Sequence, residues 1–212
     1  TDNKGMIHYN NSNHPKHLIK SPYYEADCGP QVLRLLKFTD METSKYLQQH
    51  ASMGLSLTIL KNMIQDSYPG NGFTWYNISR HNINDLHKYI KPNQGSIIFI
   101  DCSPIHRYDI YSNVNSHYVA IFRKNNKKVP QLDNYFIRDP QERTTAYTLK
   151  QFFNKWEYFE FYILVRETPV GVLKPYGVTK PIIDKHIISP SYNSNENEHG
   201  LDEQLLTQLF HS

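Results

Sequence analysis

The sequence is poor in cysteine, glycine and alanine, and it holds no long apolar run and no dense run of one charge. Its two cysteines, Cys28 and Cys102, cannot make a disulfide framework. They suit a reducing compartment, or a chain in which one thiol does chemistry. Only 4 Ala stand against 19 Asn, a bias that fits an AT-rich genome and carries no function. Lys and Arg number 23 against 20 Asp and Glu, for a net charge of +3. Nucleic-acid binders usually carry a denser basic footprint, so no nucleic acid is expected as a partner. No apolar run approaches the roughly 20 residues of a membrane span. The polar opening residues show no signal-peptide pattern.

What is present reads as a globular core. The 212 residues include 16 Tyr and 10 Phe, and disordered chains are poor in aromatics. A chain of this length buries a real core without disulfides or a metal. Residues 1–21 are polar and aperiodic and read as an N-terminal arm with room for one short strand. Residues 28–38 place Val32, Leu33, Leu35 and Leu36 on a helical stripe, with Asp27 as N-cap and Pro30 in the first turn. Two further helices are expected over 41–51 and 56–68, divided by Gly54. A turn at 69–72 leads to a strand over 73–79 and a helix over 82–90. Strands follow over 96–102, 117–123 and 134–138, the last two joined as a hairpin across Asn125 to Lys128. A helix from Thr148 to Trp156 and a strand over 159–167 close the set. Helices first, then antiparallel strands interrupted by helices, make an α+β domain over 22–167. Residues 168–212 read as a proline-rich linker followed by a short amphipathic helix at 200–210, a candidate docking or partner-binding element.

The strongest local signal is Asp27-Cys28-Gly29-Pro30. A cysteine at the first turn of a helix sees the positive end of the macrodipole, which favours the thiolate. Gly29 leaves the sulfur side open, and the backbone N–H groups at the helix start can stabilise an oxyanion. The bland alternative is a buried cysteine packed as a small hydrophobe. The apolar stripe begins only at Val32, which sets Cys28 apart from it. A thiolate nucleophile needs a base. His117 stands at the head of an apolar strand, where it can reach a helix tip. Asp139 closes the next strand, and a hairpin would bring it beside His117 as the group that orients the imidazole. Asp139-Pro140 also reads simply as a strand stop.

With these residues in place, the chain resembles the papain-like cysteine peptidases, and among them the bacteriocin-processing, double-glycine leader peptidase group. The resemblance runs from about Tyr23 to Glu167. It includes Asp27-Cys28-Gly29-Pro30, then Gly54-Leu55-Ser56-Leu57 before Leu60, and Asn84-Asp85-Leu86-His87 before Gly95-Ser96-Ile97-Ile98-Phe99-Ile100-Asp101. His117-Tyr118-Val119-Ala120-Ile121, Ile137-Arg138-Asp139-Pro140 and Leu149 to Trp156 follow in order. The resemblance implies a papain-like fold, with a helical part carrying the cysteine packed on an antiparallel sheet carrying the histidine and aspartate. It implies Cys28 as nucleophile, His117 as base and Asp139 as orienter, with a protein or peptide substrate and no cofactor. A free-standing enzyme of this type suggests a bacterial effector secreted into another cell.

The sequence departs from the family at one site residue. The family places a glutamine six residues before the cysteine as an oxyanion-hole donor, and here Pro22 stands there. Ser21, Tyr23 and Tyr24 are the nearest side-chain donors, beside the backbone N–H of Cys28. Losing one such donor costs about 10²–10³ in rate. The segment 101–116 is also long and would border the cleft. Glutamine deamidation, transamidation and acyl transfer use the same thioester, so the triad does not separate them from peptide hydrolysis. A non-catalytic binding module on this fold is a third reading. Cys102 reads as structural, and with His106 it lacks the ligands of a metal site. His8, His14 and His17 read as solvated, so no metal is expected. Trp75 and Trp156 read as core and cleft wall.

Overall fold

The computed structural model describes residues 7–8, 27–51, 54–78, 80–101, 116–128, 131–141, 146–157, 159–167 and 177–189. The leucine- and valine-rich stripe after Cys28 winds into helix α1 (Cys28–Leu35), with Val32, Leu33 and Leu35 fully buried. Asp27 occupies the N-cap position, but its side chain makes no capping hydrogen bond. Helix α1 stops where Lys37 turns left-handed, at φ 62°. There the Lys37 N–H donates to the Arg34 carbonyl and the Phe38 N–H to the Leu33 carbonyl, a Schellman ending. Helix α2 (Met41–His50) is capped by the Asp40 carboxylate and α3 (Leu57–Ser67) by the Ser56 hydroxyl.

Seven strands make one antiparallel sheet among the described residues. They are β1 (Ile7–His8), β2 (Phe73–Asn77), β3 (Gln94–Asp101), β4 (Ser116–Arg123), β5 (Tyr135–Arg138), β6 (Ala146–Thr148) and β7 (Glu160–Arg166). The order across the sheet is β2-β7-β3-β4-β5-β6, with β1 added beside the start of β3. Strand β3 is central and buried along its whole length, as its unbroken apolar run requires. Helix α5 (Leu149–Lys155) begins with a capping box between Thr148 and Gln151.

Side chains alternate across the sheet, and each face has its own cover. On one face Trp75, Phe99, Tyr118 and Tyr162 form a chain of ring contacts. The α2–α3 connection lies on this face, because the Trp75 indole N–H donates to the Leu57 carbonyl and the Tyr118 hydroxyl to the Leu55 carbonyl. Helix α1 lies against β4. On the other face Phe161 packs against Phe152 and Phe153 of α5. The architecture is α+β, with an antiparallel sheet and helices in separate layers.

Two expectations are corrected. The helix expected over 82–90 is a 3₁₀ stretch (Arg80–Asp85) followed by one turn of α-helix, α4 (Leu86–Tyr89). Asn84 and Asp85 are weak helix formers, a residue type whose side chains compete for backbone groups. The linker reading of 168–200 fails over 177–189, where α6 (Lys180–Ile183) runs into a π-helical turn (Asp184–Ile188). This strap buries Ile183 and Ile187 against α2 and α3. Its polar ties are Tyr46 to Asp184 and Lys180 to Glu42, with Lys185 and His186 both on Asp66. Cys102, residues 102–115 of the long segment and the helix expected at 200–210 lie outside the described residues.

Candidate active site

Cys28 is the first residue of α1, so its sulfur sits in the field of the helix N-terminus. The first backbone hydrogen bond, from the Gln31 N–H to the Asp27 carbonyl at 3.0 Å, closes the turn around it. Cys28 is 7% exposed. His117 is the second residue of β4 and points away from the α2–α3 face. The β4–β5 register sets Ala120 opposite Arg138. The next residue, Asp139, therefore leaves the ladder close to His117. Pro140 has no N–H to extend the ladder, so the strand stop and the placement of Asp139 are one feature.

The imidazole and the carboxylate meet directly. His117 Nε2 lies 2.7 Å from Asp139 Oδ1. The Gln141 backbone N–H donates to the same oxygen at 2.9 Å and fixes the carboxylate. His117 is 2% exposed and Asp139 4%. Burial by itself would push the His117 pKa down; the Asp139 charge, the Asp139 hydrogen bond and a hydrogen bond with Cys28 outweigh it, and the pKa is pushed up to about 10. The carboxyl of Asp139 moves the opposite way. Burial alone would raise it, but the His117 charge and hydrogen bond, the Gln141 N–H and the charge of Lys155 hold it below the usual carboxylate range. With Nε2 given to Asp139, Nδ1 is the ring nitrogen left for the Cys28 sulfur.

Aromatic side chains wall this pair. The Trp156 ring lies 5.7 Å from the His117 ring, centroid to centroid, and Phe159 packs edge-on to Trp156. The Lys155 ammonium sits over the rings of Tyr147 and Trp156. Sequence reasoning names Trp156 only as core and cleft wall, and it misses Gln141 and Lys155. Asp139 followed by Pro140 and a turn residue is the one local signal for Gln141. Lys155 carries no signal until α5 is laid on the sheet.

The structure brings Cys28, His117 and Asp139 together. Tyr23 and Tyr24, with Ser21 and Pro22, lie outside the described residues, as do Cys102, His106, His14 and His17. Of His8 only the backbone is described, in β1. Among the described residues no three or more His, Cys, Asp and Glu are grouped so as to hold a metal ion. No helix among them is long and apolar enough to cross a membrane. A sulfur at a helix N-terminus, beside an imidazole that a buried carboxylate orients, can act as a nucleophile toward an electrophilic carbon. No protein-family profile matches the chain, and no curated protein matches it.

Proposed function

We propose that the protein is a papain-like cysteine peptidase that cleaves a peptide or isopeptide bond through a thioester on Cys28. The observation that carries this reading is the buried His117–Asp139 contact at 2.7 Å, with Cys28 as the second hydrogen-bond partner of the same imidazole. In the proposed cycle the Cys28 thiolate attacks the carbonyl carbon, and the backbone N–H of Cys28 faces the oxyanion. The His117 imidazolium passes its proton to the leaving amine. Neutral His117 then takes a proton from water, whose oxygen displaces the sulfur and frees the acid. Asp139 stays ionised and keeps the ring oriented. The resemblance from Tyr23 to Glu167 supports the same reading, and no cofactor is needed for it.

The alternative on the same site is acyl transfer or glutamine deamidation, which shares the thioester and differs in donor and acceptor. A diverse peptide library, incubated with the protein and read by mass spectrometry, separates the two. The expected result is new chain ends that vanish with Cys28→Ala. A gain of about one mass unit on intact glutamine-containing peptides, again dependent on Cys28, selects deamidation instead. A library left unchanged, together with no Cys28 adduct from a peptidyl vinyl sulfone, would sink the catalytic reading.

A further inference from the structure

Cys28 belongs to the helical layer and His117 to the sheet, so their contact depends on how the two layers are spaced. One chain of contacts spans that gap within a residue of each group. Tyr118 follows His117 and points to the opposite face, where its hydroxyl donates to the Leu55 carbonyl at 2.8 Å. Tyr118 is 1% exposed, and a buried hydroxyl without a partner is costly, so this bond holds the Leu55 backbone to the sheet. The Leu55 side chain lies on the tip of α1. A Cβ at Gly29 would meet Leu55 Cδ1 at 2.9 Å and its Cβ and Cγ at 3.1 Å. Gly29 follows Cys28 directly. The segment is also anchored beyond Leu55, by the Trp75 indole on the Leu57 carbonyl at 3.1 Å and by the Ser56 cap of α3.

We infer that Tyr118, Leu55 and Gly29 form a spacer that sets the separation of Cys28 from His117, with Tyr118 and Gly29 as positioning residues. This rests on the reading that Cys28 and His117 react as a pair. Neither Tyr118 nor Gly29 supplies a reacting group. Tyr118 fixes where the α2–α3 connection sits on the sheet. Gly29, lacking a Cβ, lets the tip of α1 close down on that connection. Any side chain at 29 must move Leu55 or lift the tip of α1, and lifting the tip carries the sulfur with it.

The test is the rate of Cys28 alkylation by limiting iodoacetamide across pH 5 to 9, read by intact mass on the full chain. The variants are Tyr118→Phe, Gly29→Ala, Leu55→Ala and the double variant Gly29→Ala/Leu55→Ala. Tyr118→Phe and Gly29→Ala are each expected to slow alkylation at pH 6 roughly tenfold or more, since a misplacement near 1 Å can cost about 10²-fold. The double variant is expected to return to within roughly threefold of Leu55→Ala, the scatter of uncoupled sites. Thermal unfolding run in parallel separates loosening from misplacement. A lower Tm with an unchanged alkylation profile overturns the spacer, as does a Gly29→Ala defect that Leu55→Ala leaves in place. Tyr118→Phe decides alone if Gly29→Ala does not fold. A wild-type profile indifferent to His117→Ala removes the reactive pair and the spacer with it, whereas a His117-dependent wild type with unaltered variants removes the spacer alone.

Discussion

His117 holds its proton because Asp139 and Cys28 favour the charged ring more than burial disfavours it. That preference is also a statement about stability. Folding raises the His117 pKa from 6.5 to about 10, so the folded state keeps a proton that the unfolded chain releases. The contribution is full below pH 6.5, shrinks as the pH climbs, and is gone above about pH 10. Asp139 works in the other direction, because its folded pKa is depressed. Its contribution is present above the ordinary aspartate value and is lost as the pH falls through the depressed one. Stability measured by urea unfolding should therefore decline from pH 6.5 to 10 more steeply in the wild type than in Asp139→Asn. Equal slopes would mean that the pair is not charged in the folded protein. The residue types were legible in the sequence because each stands at an element end: Cys28 opens a helix, His117 heads a strand and Asp139 ends one. Gln141 and Lys155 were not, since one acts through its backbone N–H and the other across α5.

The strap at 177–189 shows how an element can escape sequence reasoning. Its proline and short apolar groups read as linker, and Ile183 and Ile187 acquire a meaning only once α2 and α3 offer a surface to bury them. Pro181 near the start of α6 is compatible with a helix, because the first turn needs no N–H from it. The lysine ion pairs of the strap, solvent-exposed at their ammonium ends, add little, so its docking rests mainly on the isoleucines and on its entry point. There Gly177 takes φ +83°, and a Cβ on it would lie 2.9 Å from the Phe38 carbonyl oxygen. The neighbouring Val178 N–H donates to that same oxygen at 2.8 Å. Gly177→Ala should therefore destabilise the protein by at least about 1–2 kcal/mol, the usual cost of a left-handed alanine. Denaturant unfolding measures it, and no loss would mean that the strap docks without this entry. The 3₁₀ stretch Arg80–Asp85 failed for a different reason: its apolar spacing suits a helix, but its Asn and Asp content does not.

Across the whole molecule the candidate site exists only because two layers meet. α1 brings a sulfur to the end of the sheet, β4 brings an imidazole, and the β4–β5 register delivers the carboxylate. The alternation of polar and apolar stretches was enough to expect helices followed by antiparallel strands. It could not say that one sheet face takes the α2–α3 connection and the other α5, because that depends on which side chains meet across the layers. The measurement that tests the central claim most directly is Cys28 alkylation against pH in the wild type and in His117→Ala. A paired thiolate and imidazolium keep the wild-type rate high at pH 6, and removing His117 lowers that rate roughly tenfold or more. A wild-type Cys28 that alkylates slowly at pH 6, or whose rate ignores His117, would contradict the account.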